Sequence, residues 1–196
     1  MKTVHTPLAI AFSVALASFG SYAQQGAPSS EPQGQPTQPA TVGEDRQASL
    51  QREDERFLKN AIQGSHAEIV GSQLALEKTE SSDVKSFAQM MIDDHGKMAK
   101  EAEALAENKG MAPPTGPSAM QSTEIASLKA LSGGAFDAMY VNRIGVASHE
   151  ATVEMFEKAS QEAQDPDVKA LAAKTLPKLQ EHLKMANTLN DKQDKQ

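Results

Sequence analysis

Four histidines, His66, His95, His149 and His182, lie in the chain beyond its first few residues, and no cysteine accompanies them. Imidazole is the commonest metal-ligating side chain and the proton carrier best suited to neutral pH. Without thiolates, any transition-metal site must be built from histidine, carboxylate and thioether. Glu68, Asp94, Glu150 and Glu181 stand close to these histidines in sequence, as do Met90, Met91, Met98, Met139, Met155 and Met185. Histidine with carboxylate suits iron, zinc or manganese, and histidine with thioether suits copper(I). His95, His149 and His182, with Glu68 and Asp94, form the candidate metal-ligating set. The competing reading makes the histidines ordinary buried groups, with Ser65, Ser72, Tyr140, Thr175 or carboxylates as hydrogen-bond partners. The methionines read equally well as core filler.

Other chemistry is poorly represented. Di-iron carboxylate bundles use Glu-x-x-His on two helices, because residues three apart share a helical face. Ile92, Val146 and Leu179 occupy the position three before His95, His149 and His182, so a ferroxidase of that kind is not expected. No G-x-S-x-G, phosphate-loop or dinucleotide fingerprint occurs. Ser148, His149 and Glu150 are consecutive, and consecutive helical residues point in different directions, so they do not read as a catalytic triad. The net charge of −7 argues against nucleic acid as a partner.

The elements that must position these residues are helical. Aromatic residues make up 4% of the chain and tryptophan is absent, which disfavours a large β-core. A first helix is expected over about 52–79, with Phe57, Leu58, Ala61, Ile62, Ile69 and Leu76 at helical spacing. Glu68 falls on a separate strip among Ala61, Gly64, Ser65, Gly71, Ser72 and Ala75, small residues that admit a close neighbour. A second helix is expected over about 83–109, capped by Ser82 and ended by Gly110, with His95 inside its apolar stripe. The third, about 135–163, carries Phe136, Met139, Val146, His149, Val153 and Phe156 on one face. In the fourth, Asp165 caps and Pro166 opens the first turn, and His182 shares a face with Val168, Leu179 and Ala186. Pro177 should kink it by leaving the Ala173 carbonyl without its donor. Each long helix thus has one histidine near its middle, with His66 nearer an edge than the rest.

Between the second and third helices lie some two dozen residues, opening M-A-P-P-T-G-P and holding a short helix over about 123–131 that is closed by Gly133-Gly134. That length can cross the full height of a bundle and make those two helices parallel. The expectation is an all-α fold, a ferritin-like four-helix bundle with one long crossover between helices 2 and 3.

The flanks read differently. Residues 1–23 have a lysine, an apolar run from Leu8 to Gly20 and small residues at Ser21 and Ala23, the pattern of a cleaved signal peptide. Residues 24–49 are rich in Gln, Pro, Gly and Ser and read as a disordered tether. The folded domain is expected over 50–190, with a polar tail over 191–196. Cleavage near Ala23 would yield a soluble periplasmic or secreted protein without stable membrane insertion.

Four stretches carry a resemblance: F-L-K-N-A-I-Q-G-S-H-A-E-I-V-G-S-Q-L-A, V-K-S-F-A-Q-M-M-I-D-D-H, G-G-A-F-D-A-M-Y-V-N-R-I-G-V-A-S-H and L-P-K-L-Q-E-H-L, together spanning about Phe57 to Leu183. With them the chain resembles an exported bacterial ferritin-like family of unknown function whose members are often labelled predicted outer membrane proteins. The resemblance implies the four-helix fold and an envelope location, and directs attention to Glu68, Asp94, His95, Asp137, His149 and His182. It implies no activity. No barrel pattern or lipid anchor supports an outer-membrane position, so the periplasm is the expected place. Two functions follow as expectations. One is an envelope protein that binds or scaffolds a protein partner, with a possible link to stress. The other is a metal-binding protein, its cofactor a transition metal such as iron, copper or zinc.

Overall fold

The computed structural model describes residues 50–193; the expected signal peptide, nearly all of the tether and the end of the tail lie outside that range. Among the described residues every regular element is helical. They are α1 (Arg52–Lys78), α2 (Ser82–Asn108), α3 (Ala119–Lys129), α4 (Gly133–Met139), a π-helical segment (Tyr140–Ala147), α5 (Ser148–Glu162) and α6 (Pro166–Gln193). None is long and apolar enough to cross a membrane.

Local chemistry fixes the ends. Ser81, one residue before the expected cap, accepts from the Val84 amide and starts α2. Gly110 follows the last turn of α2 with φ +76°, a left-handed conformation that glycine adopts without steric cost. Ser118 and Gln121 form a reciprocal capping box that starts α3 four residues before the expected position. Gly133, at φ +57°, opens α4 rather than closing α3. The Asp165 carboxylate accepts from the Asp167 and Val168 amides at the start of α6. The buried Asp54 carboxylate holds the turn before it, accepting from the amides of Gln164 and Asp165. α6 continues through Pro177 and on to Gln193, into what the sequence reads as tail.

Burial on the third long stretch departs from the expected face. Met139, Val146 and Val153 are only partly buried, whereas Tyr140, Val141, Ile144 and Gly145 are buried. The π-helical register accounts for Met139 and Val146; Val153 lies beyond it, on α5. The register's i→i+5 bonding, seen where the Ser148 amide bonds the Arg143 carbonyl, inserts an extra residue per turn and rotates everything N-terminal to it. The rotation brings Gly145 against α6 and α2. A Cβ there would lie 3.1 Å from Ala186 Cβ and 3.6 Å from the Phe87 ring.

The apolar interior forms two clusters. One joins Ala75, Phe87, Met91, Tyr140, Ile144, Ala186 and Leu189. The other joins Phe57, Ile62, Ala102, Phe156, Val168 and Leu179. The first cluster uses the C-terminal halves of α1 and α6 and the N-terminal half of α2; the second uses the opposite halves. α2 and α5 therefore run the same way, and residues 109–132 carry the chain from one cluster to the other. Between the clusters every long helix places a buried titratable residue: Glu68, His95, His149 and His182.

Candidate metal centre

Those four residues form a buried polar layer. His149 and His182 are fully inaccessible, His95 is 1% exposed and Glu68 2%. The three imidazoles stand in a near-regular triangle, with ring centroids 5.2, 5.4 and 5.5 Å apart. One ring nitrogen from each lies within 4.8 Å of the others.

Each ring also turns a nitrogen outward to an acceptor. His95 Nδ1 is 2.8 Å from Glu68 Oε2, a close contact with a bent rather than linear N–H···O geometry. His149 Nδ1 donates to the Ile144 carbonyl at 3.1 Å, five residues back, where the π-helical register presents it. His182 Nε2 donates to Asp94 Oδ2 at 3.2 Å. An outward donor leaves the other nitrogen with a free lone pair. The inward atoms are therefore His95 Nε2, His149 Nε2 and His182 Nδ1. The first two face one another at 3.3 Å, and the third has no hydrogen-bond partner.

Glu68 is the layer's anion. Burial by itself would raise its carboxyl, but the neighbouring His95 and His149, with hydrogen bonds from His95 and from Ser148, outweigh that and hold it at about 2. The Ser148 hydroxyl donates to Glu68 Oε1 at 2.6 Å. Burial pushes His182 down to about 4, with help from the charge of His95 and against the pull of Asp94. His149 is lowered for the same first reason, against Glu68. Asp94 reaches the surface, 19% exposed, beside Lys97 at 3.4 Å and Lys178 at 3.9 Å. Its own burial would raise its carboxyl, yet the His182 contact and the lysines keep it below the usual range.

All five residues of the candidate set thus meet in one place: three histidines inward, Glu68 and Asp94 behind two of them. The carboxylates are not donors to the interior but acceptors from the rings, a change of role from the sequence reading. His66 sits apart at the surface, 3.0 Å from Glu103. Asp137 lies on α4, outside the layer, with Oδ1 buried and unpartnered. Glu150 and Glu181 are exposed, Glu181 paired with Lys178. The hydroxyl partners expected for the histidines do not serve them: Ser72 pairs with Tyr140 at 2.8 Å instead. Ser148 escaped the sequence reading as a partner of Glu68. It is 80 residues away in sequence, and its adjacency to His149 carried no such signal. Gly71 permits the close approach inferred for the Glu68 strip, since a Cβ there would lie 3.3 Å from Ile144 Cγ1.

Fold and site together define an all-helical domain with a histidine–carboxylate layer across its middle. The chain belongs to the DUF4142 family, a domain of unknown function, whose profile matches residues 39–189. Two solved structures share the fold. A DUF305 fragment from Deinococcus radiodurans has 18% identity and a TM-score of 0.63, covering 73% of this chain and 99% of its own. The conserved hypothetical protein rv2844 from Mycobacterium tuberculosis has 16% identity and a TM-score of 0.55, covering 71% and 91%. No match was found among curated proteins.

Proposed function

We propose that the polar layer is a transition-metal centre held by His95 Nε2, His149 Nε2 and His182 Nδ1, in a domain of the ferritin-like four-helix type exported past Ala23 to the periplasm. The observation that carries it is the convergence of three buried imidazole nitrogens, one of them, on His182, without any protein partner. A buried polar atom without a partner costs on the order of 1–3 kcal/mol. His95 Nε2 and His149 Nε2 stand 3.3 Å apart, a separation that a shared hydrogen or a shared metal ion can hold. Burial pushes both His149 and His182 down, so neither carries a second proton at neutral pH. A metal ion matches this pair: two nitrogens bound at about 2.05 Å with tetrahedral angles stand about 3.3–3.4 Å apart.

The surroundings support the same reading. Glu68 and the Ile144 carbonyl behind His95 and His149, and Asp94 behind His182, orient the rings and fix their tautomers, as acceptors behind metal-bound histidines do. The two carboxylates would balance a divalent ion. Imidazole ligands suit zinc, copper and iron alike, and manganese binding belongs in the same screen. When bound, such an ion supplies Lewis acidity or redox chemistry; the protein's own residues position the rings.

The test is metal content of the mature chain purified without chelator or affinity-tag histidines. About one equivalent is expected, lost on changing His95 and His149 together to alanine. Folded protein that takes up no iron, copper, zinc or manganese would leave the layer purely structural. The binding or scaffolding role in the envelope would then be the reading to pursue.

A further inference from the structure

We infer that the centre is not closed by protein on all sides but keeps one coordination position for a small exogenous ligand, water or a monatomic anion. This rests on the metal reading above. Among the described residues, the His, Cys, Asp and Glu donors that converge number three. Structural zinc sites are closed by four protein donors, whereas reactive ones keep three plus an exchangeable ligand.

A void on one side of the layer gives that ligand a place. It has a volume of about 10 Å³ and is bordered by Ser65, Glu68, His95, Met98 and Thr152, with Phe156 and Leu179 on its apolar side; of the three imidazoles only that of His95 reaches it. That volume is about the space one water needs. Helical spacing explains the lining. Ser65 precedes Glu68 by three residues, Met98 follows His95 by three, and Thr152 follows His149 by three, so each stands one turn along the same face. The direction is toward the Phe57–Phe156 cluster on all three helices. The opposite side holds Met91, Tyr140 and Ile144, all buried in the other cluster.

One edge of the lining is polar. The hydroxyls of Ser65 and Thr152 donate or accept, and the Glu68 carboxylate accepts. Asn60 and Gly64 also border the void, on α1. A Cβ added at Gly64 would meet nothing closer than Gln121 Nε2 of α3, at 4.0 Å, so the backbone there is not crowded. Asn60 is exposed, so this edge of the void is the one nearest solvent. The Asp94 edge is less suitable, because Asp94 bonds His182 and carries Lys97 and Lys178 across it.

The experiment loads the full mature chain with cobalt(II) and titrates fluoride while following the cobalt ligand-field spectrum. A saturable spectral shift is expected in the wild type. Ser65→Leu, which fills the void, should abolish the shift with cobalt stoichiometry unchanged. Gly64→Leu, beside the void and clear of the layer, should slow the shift while leaving its end point intact, and serves if Ser65→Leu does not fold. Stoichiometric cobalt with no fluoride response in the wild type would overturn the open position and leave the metal centre standing. A fluoride response of the same rate and size in both variants would overturn the void as its location. Failure to bind cobalt, or any other transition metal, would overturn both.

Discussion

Acid should destabilise the metal-free domain by an amount the buried layer sets. His182 is inaccessible to solvent and titrates at about 4 rather than 6.5. The unfolded chain therefore takes up a proton on this residue before the folded one does. Above both values the group contributes no pH dependence. As pH falls from about 6.5 to about 4 the unfolded state is progressively favoured. From those two values the loss is about 2 kcal/mol by pH 5 and about 3 kcal/mol by pH 4. His149 is shifted the same way and adds to the loss. Glu68 acts in a lower window: its stabilisation is present above 4.5 and is lost only as pH falls toward about 2. Against a typical total of about 5–15 kcal/mol, a loss of this size is readily measured. The assay is urea unfolding of chelator-treated protein at pH 7, 6, 5 and 4. His182→Gln should remove the His182 share of the slope. Equal unfolding free energies at pH 7 and pH 5 would refute neutral, desolvated rings at His149 and His182.

Other expectations concern single residues of the layer. His95→Ala should destabilise the metal-free domain by about 3–5 kcal/mol, because it leaves the buried Glu68 charge without its principal partner. Unchanged thermal unfolding would show that Glu68 is not held as an ion. Glu68→Gln should keep the fold yet weaken metal binding by about 10- to 100-fold, the usual cost of removing a carboxylate behind a ligating histidine. Competition against a chromogenic chelator measures it, and an unaltered affinity would place Glu68 outside the centre. Gly145→Ala should cost about 1–3 kcal/mol through the 3.1 Å approach to Ala186 Cβ. Chemical denaturation showing wild-type stability would contradict the tight packing of the π-helical segment on α6.

Much of the architecture is a local property and was legible. The stripe Val84–Phe87–Met91–His95–Ala99–Ala102–Ala106 buries along α2 as its spacing requires. The Pro-rich break after Gly110 and the length of the crossover anticipated that α2 and α5 run the same way. The small residues around Glu68 signalled its burial. Periodicity failed at one place, Tyr140–Ala147. A π-helical register is invisible to a 3.6-residue periodicity, and here it accompanies the seating of Gly145 against Ala186 and Phe87 on other helices.

For the site, sequence alone determined which residues were available and their common height. One histidine sits near the middle of each long helix, and helices joined end to end by tight turns or a full-length crossover bring their middles together. Height is a coordinate along the helix axis, and residue count sets it. What the tertiary structure decided is rotation about the axis and the partner of each nitrogen. It excluded His66 and drew Glu68 inward. It turned both carboxylates from ligands into acceptors behind the rings, and placed Ser148 on Glu68. It also set which nitrogen of each imidazole faces the interior. Those outcomes depend on hydrogen bonds between residues 54 to 88 positions apart. No local pattern encodes such pairs, because the geometry exists only once four helices have packed.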